Sequence, residues 1–101
     1  MSKPRTNKDF QETLRAAYPP EAWPEALRAL WYDANDDWEA SHNIAQEMHS
    51  NLGSWIHAYL HRKEGDEFNA GYWYGRANKP FPKVGLKEEH EYIVKYLLNQ
   101  W

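Results

Sequence analysis

The chain has no cysteine and no long apolar run. Without thiols it has neither a disulfide framework nor a thiolate metal site, and no stretch approaches the ~20 apolar residues needed to cross a bilayer. The opening MSKPRTNKDF lacks the apolar segment of a secretory leader, which makes a cytoplasmic location the expectation. A glycine-rich phosphate loop, a nucleophile elbow and a Cys nucleophile are also missing, so the common nucleophilic and nucleotide-handling enzymes have no footing. The formal charge of -3 argues against a dedicated nucleic-acid binder.

What is present in quantity is aromatic. Six Trp, seven Tyr and three Phe in 101 residues can each bury ~150–250 Å². A few helices can therefore share one adequate core, and the length suits a single domain. Charge is segregated: residues 21–49 hold one Arg and seven acids, whereas 62–87 hold six Lys/Arg and three acids. Two such regions can pair within the fold or attract a partner.

Hydrophobic spacing and breakers predict an all-α chain of about six helices. Residues 1–8 read as a flexible polar tail, and 9–101 as one helical domain. The first helix is expected from Asp9 to Tyr18, stopped by Pro19 and Pro20. Trp23, Leu27, Leu30, Trp31, Ala34, Trp38, Ser41, Ala45 and Met48 share one helical arc, so periodicity alone permits one long helix. Asn35, Asp36 and Asp37 are poor inside helices and good caps, which favours two helices, 24–34 and 37–49. A fourth helix is expected over 52–63. Gly65 fits the left-handed residue that ends it, and Asp66 fits the N-cap of a fifth, running to Ala77. Leu86 to Gln100 carries a final apolar stripe, with Glu88, Glu89 and Glu91 suited to the positive end of its dipole.

An offset of 29 residues aligns Leu27 with Ile56, Ala29 with Ala58, Tyr32 with His61, Asp37 with Asp66 and Ser41 with Ala70. Small residues and the turn Asp recur where two antiparallel helices must approach or be capped. The pattern from Gly65 through Asp66, Ala70 and Tyr74 to Ala77 resembles the second helix of a tetratricopeptide or Sel1-like repeat. Two TPR-like hairpins flanked by N- and C-terminal helices are the expected architecture, with an irregular helical bundle as the alternative.

Asp37, Trp38 and His42, followed by His61, Arg62, Lys63, Glu64, Gly65, Asp66, Asn69, Ala70, Tyr72, Trp73, Tyr74, Arg76 and Ala77, form a pattern of their own. Over about residues 27–100 the chain resembles a family of small uncharacterised bacterial proteins with an HRKEGDxxNAxYWYxRA signature. The resemblance implies no activity. Gly71 and Gly75 depart from it where bulkier residues are expected, which suggests a looser or more closely packed helix.

Two groups of residues can carry chemistry. His57 and His61, four apart, share a helix face, the spacing by which two imidazoles hold one metal ion. His42 or Glu39 can supply a third ligand, with Asp66 a weaker candidate if it caps. Three His around Zn²⁺ or another divalent metal would leave a position for water and support hydrolysis. The second group, Arg62, Glu64, Asn69 and Arg76 beside Tyr72, suits a peptide groove or a small-ligand pocket. As a purely structural network it would instead have Asp66 capping, Asn69 on backbone, and Arg62 or Arg76 paired with an acid of 33–39. Trp73 reads as part of its helix's core stripe. The leading expectation is a non-catalytic helical-repeat module that binds a protein or peptide, without a cofactor, as a monomer or weak homodimer. The alternative is a small metal-dependent hydrolase or ligand-binding protein built on His42, His57 and His61.

Overall fold

A computed structural model describes residues 4–101, and among them every regular element is helical. The helices are α1 (Asn7–Glu12), α2 (Glu25–Ala34), α3 (Trp38–Gln46), α4 (Asn51–Lys63), α5 (Glu67–Arg76) and α6 (Leu86–Gln100), with a 3-10 turn over Thr13–Arg15 after α1. Of the residues expected as a tail, Pro4 is buried and Asn7 and Lys8 belong to α1; residues 1–3 lie outside the described residues. Thr6 caps α1 by accepting the Asp9 N–H at 3.1 Å, so the helix starts two residues earlier than Asp9. It also ends earlier than Tyr18. The Thr13 hydroxyl donates to the Phe10 carbonyl at 2.6 Å, and Ala16 is already extended, ahead of the two prolines.

The long arc from Trp23 to Met48 is broken where the Asn-Asp-Asp run predicts. Asp36 adopts φ 62 and Gly65 φ 88, and the hydrogen bonds around them match at an offset of 29 residues. Asp36 N–H donates to Asp33 O and Asp37 N–H to Tyr32 O; Gly65 N–H donates to Arg62 O and Asp66 N–H to His61 O. Each is the paired capping of a helix ending on a left-handed residue. The next residue in each case, Asp37 or Asp66, is the N-cap of the following helix. Burial repeats as well: Leu27 and Ile56, Ala29 and Ala58, and Ser41 and Ala70 are all fully buried. The α2/α3 and α4/α5 hairpins are thus one design used twice.

The difference between the two left-handed residues is measurable. Gly65→Ala is expected to cost about 1 kcal/mol because a Cβ is unfavourable there, whereas Asp36→Gly is expected to be neutral or stabilising by up to about 1 kcal/mol. Urea unfolding of both variants would check this, and equal effects of one sign would contradict the shared turn geometry.

Helices α2 and α4 lie at the centre, with α3 and α5 packed against them and with α6 crossing both. Phe10, Leu27, Leu30, Ile56, Leu60, Ile93 and Val94 are completely buried between them. Gly53, in the first turn of α4, sits where a Cβ would lie 2.5 Å from Met48. Its missing side chain lets the chain return tightly from α3, which fixes α3 beside α4. Gly71 and Gly75 have open space around them, so close packing does not explain their presence.

Candidate metal site

The α3–α4 contact brings three imidazoles together. His42 comes from α3, and His57 and His61 come from successive turns of α4. One ligand nitrogen from each lies within 4.8 Å of the other two. His42 Nε2 and His57 Nε2 are 2.9 Å apart, a hydrogen bond in which one ring must donate and the other accept. Nitrogens around tetrahedral Zn²⁺ at 2.0–2.1 Å are ~3.3 Å from one another. His42 Nε2 and His57 Nε2 lie closer together than that, so a shared ion would require these two rings to separate.

Two indoles wall the cluster. The Trp38 ring stacks on His42 with centroids 4.7 Å apart and donates from Nε1 to the Leu60 carbonyl at 2.8 Å. Trp73 of α5 packs against the buried Ala58, Ala70 and Tyr74, the core role that its spacing suggests, and its half-buried ring also stacks on His57 at 4.0 Å as a wall of the site. The spacing of Trp38 and His42, one turn apart in α3, was the available signal for the first wall; nothing local marks the second.

His61 faces acids on its other side. Its Nδ1 lies 3.0 Å from Glu64 Oε1 and 3.8 Å from Asp66 Oδ2. A carboxylate on Nδ1 favours the tautomer with the proton there, leaving Nε2 as the lone-pair donor. Among the described residues no hydrogen bond engages that Nε2. Asp66 is less available as a ligand, because Asn69 donates its backbone N–H to Oδ1 at 3.2 Å and its side-chain amide to Oδ2 at 2.6 Å. Those two bonds hold the Asp66 carboxyl below its usual range.

Burial and neighbouring imidazoles disfavour a proton on His42 and His57. The His57 ring, 7% exposed, is pushed down to about 4, first by burial and then by His42 and His61. Burial likewise lowers His42, helped by His61 and partly opposed by Glu64. Neutral imidazoles are the form that binds metal, so no proton has to leave these two rings near neutral pH.

Other candidates are placed elsewhere. Glu39 is exposed and outside the cluster. Arg62 turns away from the turn it was grouped with: it pairs with Glu89 of α6 at 2.8 Å and donates to the Val84 carbonyl. The acid of 33–39 that does take a cation is Asp33, and its partner is Lys63 at 2.9 Å. The Asn69 side-chain amide donates to the Asp66 carboxylate, where a bond to backbone was expected. Tyr72 and Arg76 sit on the outer side of α5, joined by an Arg76 to Tyr72 hydroxyl bond of 3.2 Å. The two proposed groups are therefore one cluster of His42, His57, His61 and Glu64, plus a Tyr72–Arg76 pair that adjoins it across Trp73. Comparisons with protein-family models, with curated proteins and with solved structures gave no match.

Proposed function

We propose that the protein binds a divalent transition-metal ion of the Zn²⁺ class through His42, His57 and His61. The observation that carries this reading is the convergence of three imidazole ligand atoms within 4.8 Å. Three neutral nitrogen donors suit Zn²⁺, Co²⁺, Ni²⁺ or Cu²⁺ and disfavour Mg²⁺ and Ca²⁺, which prefer oxygen. Glu64 supplies the outer carboxylate that orients a metal-bound His61. A three-His set leaves one position for water, and water held there is acidified enough to act as a nucleophile. Metal-assisted hydrolysis is the chemistry such a site supports.

Zn²⁺ added to chelator-treated protein at ten times its Kd should stabilise the fold by ~1.4 kcal/mol, a rise in Tm of about 5–10 °C for a domain of this size. His57→Gln and His42→Gln should each remove most of the rise. No stabilisation in the parent, or equal stabilisation in both variants, would exclude the site.

A second reading, a TPR-like module that binds a protein or peptide, is favoured by the outer face of α5. Phe68 is 87% exposed and Tyr72 54% exposed, and Arg76 follows them at the same four-residue spacing. The paired hairpins support the repeat part of this reading.

A further inference from the structure

We infer that a cleft beside the imidazole cluster binds a small molecule through its phosphate or carboxylate group, with Arg76 as the principal anchor. The cleft, of about 400 Å³, lies between the end of α3, the first turn of α4 and the end of α5. That volume falls in the range of small-ligand sites. Among the described residues no Asp or Glu lines it, although the chain carries 15 acids and a formal charge of -3. Its basic groups are Arg76, His49 and His57.

Arg76 is the informative residue. Its guanidinium lies 5.3 Å from the centroid of Trp73 and 6.0 Å from that of Tyr72, and donates to the Tyr72 hydroxyl at 3.2 Å. Among the described residues it takes part in no ion pair. Among the described residues the buried carboxylates Asp33 and Glu89 are already matched, by Lys63 and Arg62, so Arg76 is a cation left over on the surface. A guanidinium held over aromatic rings at the wall of an acid-free cleft keeps most of its five donors for an incoming oxyanion, which it can grip with two parallel hydrogen bonds. Ser50, Asn51 and Ser54 add polar groups to its lining. The cleft shares one residue, His57, with the imidazole cluster, but oxyanion binding by Arg76 does not require a metal there.

The test uses the full chain, treated with chelator, so that its outcome is independent of the metal reading. Inorganic phosphate and, separately, succinate are titrated while backbone amides and the Arg76 Nε–H are followed by NMR, against chloride at matched ionic strength. Saturable shifts at Asn51, Gly53 and Arg76 are expected with at least one anion, and the anion that saturates identifies the source of the oxyanion. Arg76→Gln should weaken the apparent affinity roughly tenfold, and Arg76→Lys, which keeps the charge, should lose less. Arg76 is exposed, and its side chain engages Tyr72 and Trp73 on the surface of α5, so both variants should fold. The inference fails if neither anion gives a saturable shift, or if Arg76→Gln binds as the parent does.

Discussion

Replacing Glu89 by Ala is expected to remove about 3–5 kcal/mol of stability, the usual cost of breaking a buried charge pair from one side. Glu89 lies in the first turn of α6 and is 3% exposed. Both its oxygens are 2.7 Å from the Tyr74 hydroxyl of α5, Trp55 Nε1 of α4 donates at 3.2 Å, and Arg62 of α4 donates at 2.8 Å. Arg62 in turn holds the Val84 carbonyl just ahead of α6. One carboxylate thus ties α6 and the segment leading into it to the second hairpin. Without it, the fully buried Tyr74 hydroxyl and a largely covered guanidinium lose their acceptor, and each unsatisfied group costs ~1–3 kcal/mol. Burial, and then the hydrogen bond to Glu89, raise the Tyr74 phenol well above its ordinary value, so the proton on this bond belongs to the tyrosine. Urea unfolding should show the loss with a matching fall of at least about 12 °C in Tm. Glu89→Gln, which preserves shape and one acceptor, should cost less. A loss below about 1 kcal/mol for Glu89→Ala would mean that the network does not hold α6.

The position of Glu89 in the first turn of a helix was legible in the sequence, but its burial was not. Three acids stand together there, Glu88, Glu89 and Glu91, and a helix dipole explains all of them equally well. Selecting the inward one requires knowing that Arg62, Trp55 and Tyr74 arrive at the same point, which is a tertiary fact. The same limit applies to Arg62, whose neighbours in sequence suggested a partner among residues 33–39. By contrast, the turns were readable because their causes are local. Gly65 must relieve a left-handed backbone, and Asp66 must satisfy a free N–H; Asp37 could be read as the matching cap, but Asp36 only as part of a break, since a single Asp does not announce a positive φ as Gly does. The site falls between these cases. The spacing of His57 and His61 places two ligands on one face, and helix geometry alone supplies that much. His42 depends on the register of α3 against α4, fixed by the close approach at Gly53 and Met48. Trp73 depends on α5 folding back over His57, which follows only once the hairpin is closed.

Acid should weaken the metal-free protein in a pH range where most domains are insensitive, and His57 should be responsible. In the unfolded chain its ring has the ordinary value of 6.5, and in the folded protein it is pushed down to about 4. Above 6.5 the ring is neutral in both states, so its contribution to stability does not change with pH. Between 6.5 and 4 the unfolded chain binds a proton that the folded protein refuses, and stability falls as the pH is lowered. Below 4 both states are protonated and the loss is complete, at most about 3.5 kcal/mol by the ~1.4 kcal/mol per pH unit of linkage. The surrounding groups agree with this sign: His42 and His61 face the ring and repel a proton on it, Trp73 and Trp38 carry no charge, and Glu64 lies on the far side of His61. Carboxylates such as Glu89 and Asp33 also contribute to acid unfolding, but chiefly below about pH 5. The interval from 6.5 to 5 therefore isolates the imidazoles. In chelator-treated protein, His57→Gln should flatten the fall of unfolding free energy across that interval while leaving the steeper loss at lower pH in place. A parent protein with constant stability from 6.5 to 5, or a His57→Gln variant with the parent's slope, would show that the ring accepts a proton in the folded state and that the cluster is more open to water than its walls of Trp38 and Trp73 imply.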